Sequence, residues 1–166
     1  VVSTQDQYKG RGRNGKVWIG KPGQSLAFSV TLFPHIDTLL LLAPAFSLAL
    51  VHCFKKVQNS DVSVKWPNDI LINGKKAAGM LMETVHQNSS IHMVLGIGIN
   101  LTLDTDEFKE IQNQATNLQE HTTREINVGS LQQMILLELQ RIYTHVQNGW
   151  SPISEWKKYL TTIGHC

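Results

Sequence analysis

Cysteine is scarce in this chain of 166 residues, and the usual metal-binding spacings are missing. The only two cysteines, Cys53 and Cys166, stand far apart, and none of the seven histidines falls in a His-Glu-x-x-His pattern. Without a Cys-x-x-Cys spacing, the sequence predicts neither a disulfide framework nor a zinc site. We therefore interpret Cys53 as a core thiol and Cys166 as a terminal thiol, both in a reducing compartment.

Long hydrophobic runs and a charged leader are also missing. The most apolar run, residues 39–54, is interrupted by Pro44, Ser47 and His52, and its length is below that of a bilayer span. The N-terminal sequence VVSTQDQYKG lacks a charged segment followed by an apolar stretch, so no signal peptide is expected. We therefore expect a cytoplasmic protein with no membrane partner. Because the chain starts without methionine, a fragment of a longer protein stays open.

The chain has little net charge, but its cations are concentrated near the start. The formal net charge is only +2, which argues against the global basic field of many nucleic-acid-binding proteins. Residues 8–18 read YKGRGRNGKVW, with four cations, three glycines and no acid. Glycines let backbone N–H groups approach an anion closely, and arginine adds bidentate donors. This segment predicts a loop that either grips nucleic acid or wraps a small anionic ligand.

The order of the predicted elements indicates one domain of the α/β or α+β class over residues 1–166. Asn73-Gly74 predicts a tight hairpin turn, and Asn127 is placed to cap a helix. Strands precede helices, which favours a β-sheet covered by helices. Strands are expected over residues 24–33, 62–66, 69–72, 77–85 and 91–101. Helices are expected over residues 37–57 and 131–146, with a last one through 155–159.

Two motifs place polar side chains at strand ends. In KWPNDI, residues 65–70, Pro67 ends the strand and leaves Asn68 and Asp69 to hold a nucleotide or a hydrated Mg²⁺. In GIGIN, residues 96–100, glycines within a strand mark a close approach, and Asn100 can bind a phosphate or sugar. Taken alone, KWPNDI can also be an ordinary turn, although Lys65 and Trp66 within a strand fit that interpretation less well. GIGIN taken alone is better explained as a packed glycine strand that ends in a turn.

A third motif, KKAAGMLME, follows the hairpin turn and brings two lysines to one end of a strand. Lys75 and Lys76 are neighbours, and neighbouring strand residues point to opposite faces, so only one of them can reach a given site. For a lysine on an isolated strand, a solvated edge is the simpler interpretation.

Taken together and in this order, GRGRNGKVW, KWPNDI, KKAAGMLME and GIGIN resemble the catalytic core of biotin protein ligases. The resemblance runs from residue 7 to residue 100, and ATNLQEH with the helical remainder is also similar to that family. It implies a mixed β-sheet flanked by helices, related to class II aminoacyl-tRNA synthetases. It also implies a catalytic domain without the family's N-terminal Ser/Thr-Asn segment and its small C-terminal β-domain. No DNA-binding helix-turn-helix is seen.

The resemblance implies an ATP-dependent enzyme that works in two steps, with Mg²⁺ accompanying the nucleotide. The biotin carboxylate attacks the α-phosphate of ATP, which gives biotinoyl-5′-AMP and pyrophosphate. A lysine of a biotin carboxyl carrier protein or domain then attacks the mixed anhydride, which gives an amide and AMP. A homodimer stays open. Two alternatives remain: a lipoate or octanoyl ligase or transferase of the same fold, and a non-catalytic basic module that binds nucleic acid.

The resemblance also assigns roles to residues that match the family's motifs. Arg13 and Lys76 match positions at the reacting carboxyl and phosphate, and Asp69 is a candidate magnesium contact. The positions implied for biotin are Gln7, Arg11, Gly12, Arg13 and Lys76. The positions implied for ATP or the adenylate are Trp18, Asn68, Asp69 and Asn100.

Overall fold

The computed structural model describes residues 1–4, 6–87, 90–104, 107–108, 111 and 114–161. Its strands are β1 (Val2–Thr4), β2 (Ser25–Leu32), β3 (Val62–Lys65), β4 (Asp69–Ile72), β5 (Lys75–Gln87) and β6 (Ser90–Asn100). Its helices are α1 (Leu39–Val57), α2 (Val128–Gln147) and α3 (Ile153–Trp156). The α+β prediction is confirmed, and β1 is a strand that the sequence pattern did not predict.

The strands form one six-stranded sheet in the order β1-β2-β6-β5-β4-β3. Every neighbouring pair of strands is antiparallel. Parallel pairing within the described ranges is limited to single bridges that join Val64 to Leu160 and Lys76 to Ala115. The hairpin turn at Asn73-Gly74 lies where the sequence predicts it, and both residues have the positive φ that such turns require.

Helices α1 and α2 cover one face of this sheet and form the core with it. Along α2, Leu131, Ile135 and Ile142 recur at helical spacing and are buried. The predicted cap is confirmed, because the Ser130 N–H donates to Asn127 Oδ1 at 2.9 Å. Pro44 lies in the second turn of α1.

The helical segment Ile36–Val57 has 22 residues and meets the length and composition of a membrane span. The argument that the apolar run at residues 39–54 is too short to cross a bilayer is therefore wrong, because the helix is longer than that run. However, 56% of its most apolar window is buried within this fold. A buried core helix passes the same test of length and composition, which makes the test weak evidence for a membrane.

A network of charged and polar side chains joins the three helices to one another. His52 of α1 lies 2.8 Å from a Glu138 carboxylate oxygen and 2.7 Å from one of Glu155. Arg141 donates two hydrogen bonds to Glu138, at 2.7 and 3.0 Å. The Arg141 hydrogen bonds lower the pKa of Glu138 to about 2; burial opposes this shift, and the His52 contact reinforces it.

We expect Glu138→Gln to lower the free energy of unfolding at pH 7 by about 1–3 kcal/mol, the scale of a charged hydrogen bond. The pKa of folded Glu138 is about 2, below its ordinary value of 4.5. Its ionised form therefore stabilises the fold above that ordinary value, and the stabilisation is lost as the pH falls toward the folded pKa. Urea unfolding across the acid range measures this, with the exposed Glu125→Gln as the control. If the wild type and Glu138→Gln lost the same stability on acidification, the network would not be a source of stability.

Candidate active site

A cavity of about 1290 Å³ opens on the sheet face opposite the two long helices. Strand alternation explains its position. On β6, Leu95 and Ile99 are buried in the core, whereas Gly96 and Gly98 face the cavity. The large side chains on one face of β6 form the core. Gly96 and Gly98 on the other face have no side chains, which leaves room above the sheet.

Two glycines form the floor of the cavity, and the Trp18 indole packs directly against their backbone. Gly79 of β5 and Gly98 of β6 are cross-strand partners. A Cβ on Gly98 would lie 2.5 Å from Trp18 Cε2, and one on Gly79 would lie 3.1 Å from Trp18 Cζ3. The close approach predicted for these glycines is therefore that of the protein's own indole. The Trp18 Nε1 is buried and has no hydrogen-bond partner in the part of the chain that the structure describes.

The basic segment at residues 8–18 folds back on itself as a tight hairpin. The Trp18 N–H donates to Gly10 O at 3.0 Å, and the Gly12 N–H donates to Lys16 O at 2.7 Å. A 3-10 turn at Arg13–Gly15 closes it, with Asn14 at φ 55°. The segment is a loop, as the sequence predicts, and its strand-like pairing is limited to the single bridge between Arg11 and Val17. Positive-φ positions at its tip are what a tight turn needs.

The cavity is strongly cationic among the residues that the structure describes. Two carboxylates line it, Asp69 and Glu83. Six cations line it: Lys9, Arg11, Arg13, Lys16, Lys65 and Lys76. The Arg11 guanidinium donates to Glu83 at 2.9 Å, which ties the hairpin to β5. The excess of cations favours an anionic ligand.

Lys76 lies at the centre of this arrangement. Its Nζ lies 2.7 Å from Asp69 Oδ1 and 5.5 Å from the centroid of the Trp18 ring. The contact with Asp69 is an ion pair rather than an aligned hydrogen bond, because that buried oxygen has no hydrogen-bond partner among the described residues. Lys75 is exposed and does not line the cavity. The prediction that only Lys76 faces the site is confirmed.

A β-bulge sets the direction of Lys76. Between β4 and β5, Ile70 pairs with Ala78 and Leu71 pairs with Lys76, so Ala77 is an extra residue on β5. A Cβ on Gly79 would lie 3.3 Å from Lys76 Nζ, although simple alternation would put residues three apart on opposite faces. The bulge therefore brings the lysine over the glycine floor.

The structure brings nearly all of the sequence-predicted site residues together. Those that line the cavity are Gln7, Arg11, Gly12, Arg13, Trp18, Asn68, Asp69 and Lys76. Asn68 also anchors its turn, because its Nδ2 donates to Met80 O at 2.9 Å. Glu83 was missed, although its place in KKAAGMLME, on the face of Gly79, could have indicated it.

Asn100 is the exception among the predicted residues. It is buried, does not line the cavity, and donates from Nδ2 to Thr116 O at 3.0 Å. In this structure the Asn100 amide anchors the neighbouring segment through this hydrogen bond, and its contact with a nucleotide stays a prediction.

Comparison with known proteins agrees with this geometry. A family described as biotin/lipoate A/B protein ligase matches residues 1–100. The chain belongs to the biotin/lipoate A/B protein ligase family. It is 34% identical over 173 residues to the bifunctional ligase/repressor BirA of Bacillus spizizenii, an alignment that covers 99% of this chain and 52% of that protein. This member of the biotin/lipoate A/B protein ligase family thus spans about half the length of the curated relatives it matches.

Two further relatives of this family are informative. Over 108 residues the chain is 33% identical to a biotin–[acetyl-CoA-carboxylase] ligase of Paracoccus denitrificans. That alignment covers 60% of this chain and 43% of the relative. Among solved structures, the biotin protein ligase of Aquifex aeolicus in complex with biotin and ATP matches with a TM-score of 0.85 and 26% identity. That match covers 98% of this chain and 69% of the other.

We expect Gly98→Ala to displace the Trp18 indole, because the new methyl group would lie 2.5 Å from the ring. The cost should be about 1–3 kcal/mol in the free energy of unfolding, as for other overpacked sites. Hydrogen exchange at the Trp18 amide, which bonds Gly10, should become faster.

Gly96→Ala on the same strand is the matched control, because its Cβ would meet nothing closer than 3.6 Å. Urea unfolding and amide exchange over residues 8–18 measure both variants. Identical behaviour of the two would show that the indole does not depend on the glycine floor.

Proposed function

We propose that this chain is the catalytic core of an ATP-dependent biotin–protein ligase. It activates biotin as biotinoyl-5′-AMP and transfers the biotinoyl group to a lysine of a biotin carboxyl carrier protein or domain. The observation that carries the proposal is the cavity in which Arg13, Lys76 and Trp18 meet over bare glycine backbone. Relatives named as biotin ligases, one of them in complex with biotin and ATP, support it.

The first step needs positive charge, because a carboxylate attacks a polyphosphate. Among the described residues, six cations line the cavity, and their positive charge offsets that repulsion. Lys76 is held between Asp69 and the Trp18 ring, so its ammonium group is positioned before the ligands react. Arg13, at the turn of the hairpin, supplies donors for the carboxylate and the α-phosphate. No side chain needs to become a covalent nucleophile, so catalysis depends on position and charge.

The mixed anhydride must be protected from water until the acceptor arrives. The hairpin lies over the sheet, tied to β5 by Arg11 and Glu83, and Trp18 closes the floor. An indole is also a suitable surface for an adenine ring. In the second step, the free amine of the acceptor lysine attacks the activated carbonyl carbon. The C–N bond forms as the bond to AMP breaks, and the amine proton leaves to solvent or to the departing phosphate.

The residues present fit a magnesium ion that is held mainly by the substrate. Asp69 would be its protein ligand, and Mg²⁺ in nucleotide sites is commonly bound by one or two carboxylates together with phosphates. No group of three His, Cys, Asp or Glu side chains suited to a metal occurs among the described residues. When bound, the ion supplies charge that neutralises the phosphates.

The two alternatives are less well supported. A nucleic-acid groove should present its cations along an open surface with stacking aromatics. Here the cations converge on a cavity whose described lining includes two aromatics, Trp18 and the buried Phe28. A lipoate ligase shares the fold, but the GRGRNGK loop and the KWPND motif resemble those of biotin ligases and argue against it.

The experiment that tests the proposal is ATP–pyrophosphate exchange with biotin, with lipoate or with no acid. We expect exchange with biotin and none above background with lipoate, because the four motifs match biotin ligases. Exchange that is equally fast with lipoate would favour the lipoate alternative. Salt-sensitive binding of DNA or RNA without any acid-dependent exchange would favour the nucleic-acid alternative.

We expect Lys76→Ala to slow biotin-dependent exchange at least about tenfold, the scale of losing one preorganised charge donor. Lys75→Ala is the matched control, because Lys75 is exposed beside the cavity and should be nearly silent. Exchange rates at saturating ATP and biotin measure both variants. Comparable losses at the two positions would mean that general strand charge, not the position of Lys76, supports the reaction.

A further inference from the structure

The segment of residues 114–118, here called the strap, lies beside Lys76, and its first two residues, Gln114 and Ala115, border the cavity described above. The Lys76 N–H donates to Gln114 O at 2.9 Å, and the Thr116 N–H donates to Lys76 O at 2.9 Å. These two bonds form the parallel bridge between Lys76 and Ala115. Both backbone polar groups of Lys76 are therefore held by the strap.

The strap pairs with β5 at Lys76, beyond the point where the pairing of β6 with β5 ends at Ala78. On one side of β5, Lys76 faces Leu71 of β4. A strand residue directs its N–H and C=O to the same side, so the strap lies on the other side, where β6 pairs further along. Strand β6 ends at Asn100, whose carbonyl accepts from the Leu118 N–H at 2.9 Å and whose Nδ2 donates to Thr116 O at 3.0 Å. Asn100 thus closes the junction between β6 and the strap.

Thr116 fixes the strap from within. It is 2% exposed, and its hydroxyl donates to Glu120 Oε2 at 2.8 Å and lies 2.9 Å from His121 Nε2. The same Glu120 also accepts a hydrogen bond from Asn117 Nδ2. A buried hydroxyl with two partners restricts the residue to one rotamer, and its backbone N–H is the one that holds Lys76.

We propose that Thr116 is a positioning residue for Lys76: its hydroxyl holds the strap, and the strap holds the backbone of the lysine at the β-bulge. This inference rests on the proposed function for its effect on rate. Lys76 Nζ must lie between Asp69 and the Trp18 ring, and small displacements of a charge donor cost rate steeply. The effect acts through Lys76, so it belongs to the reacting centre and not to ATP binding.

The test compares Thr116→Val, which keeps the side-chain shape but loses the hydroxyl, with Thr116→Ser, which keeps the hydroxyl. Each is measured for biotin-dependent ATP–pyrophosphate exchange and for hydrogen exchange at the Lys76 amide. We expect Thr116→Val to lower kcat about threefold to tenfold, the size of one hydrogen bond, with the KM for ATP unchanged. Its Lys76 amide should exchange faster. Thr116→Ser should restore both values to near those of the wild type.

A double-mutant cycle separates positioning from general destabilisation. In a Lys76→Ala background, Thr116→Val should cause no further loss of kcat, because the group that it positions is gone. A further loss of the same size in that background would overturn the inference, and so would an unchanged Lys76 amide in Thr116→Val. If the wild type shows no exchange with biotin, the proposed function fails, and the Lys76 amide alone then decides whether the strap is held by Thr116.

Discussion

The contact of the Trp18 indole with the paired backbones of Gly79 and Gly98 is the constraint on which the site depends. An aromatic ring can lie this close to a sheet only where two facing residues have no side chain. The ring holds one end of the basic hairpin against β5 and β6, and the Arg11–Glu83 ion pair holds another part of it. Together they place a set of mutually repelling cations around one cavity. The indole therefore determines where the charge is, and the charge determines which ligands can bind.

The lysine at the centre shows how a sheet can aim one side chain. Ala77 is the extra residue of the β-bulge, and it turns Lys76 toward the face that carries the glycines. Asp69 supplies the opposite charge, and the strap supplies both backbone partners. Each of these contacts comes from a different part of the chain. A single misplaced element would leave the lysine exposed to solvent, as Lys75 is.

Stability and chemistry are located on opposite faces of the sheet. The helices bury the core, and the network of His52, Glu138, Arg141 and Glu155 joins them there. Burial raises the pKa of the Cys53 thiol to about 12, so this cysteine is an inert core residue, as its apolar surroundings in the sequence indicate. The cavity face instead keeps bare backbone and like charges close together.

Much of the fold and most of the site could be predicted because the relevant signals are local. Period-2 and helical patterns located five strands and the two long helices, and the turn at Asn73-Gly74 followed from its own chemistry. The four motifs contain every predicted site residue that lines the cavity except Gln7, because glycine, proline and charge are recognisable in the sequence at the positions where they act. Strand β1 was missed because three exposed residues carry no pattern of their own.

Only the tertiary structure decided the contacts between distant segments. GIGIN predicts Asn100 as a ligand-binding residue, yet its amide is buried against Thr116 of ATNLQEH, sixteen residues away, and neither motif indicates that the two meet. The direction of Lys76 depends on a bulge, which is a mismatch between two strands and not a property of either one. The sequence by itself determined which chemistry is available, because chemistry belongs to side chains; the packing of strands, hairpin and strap determined where that chemistry meets.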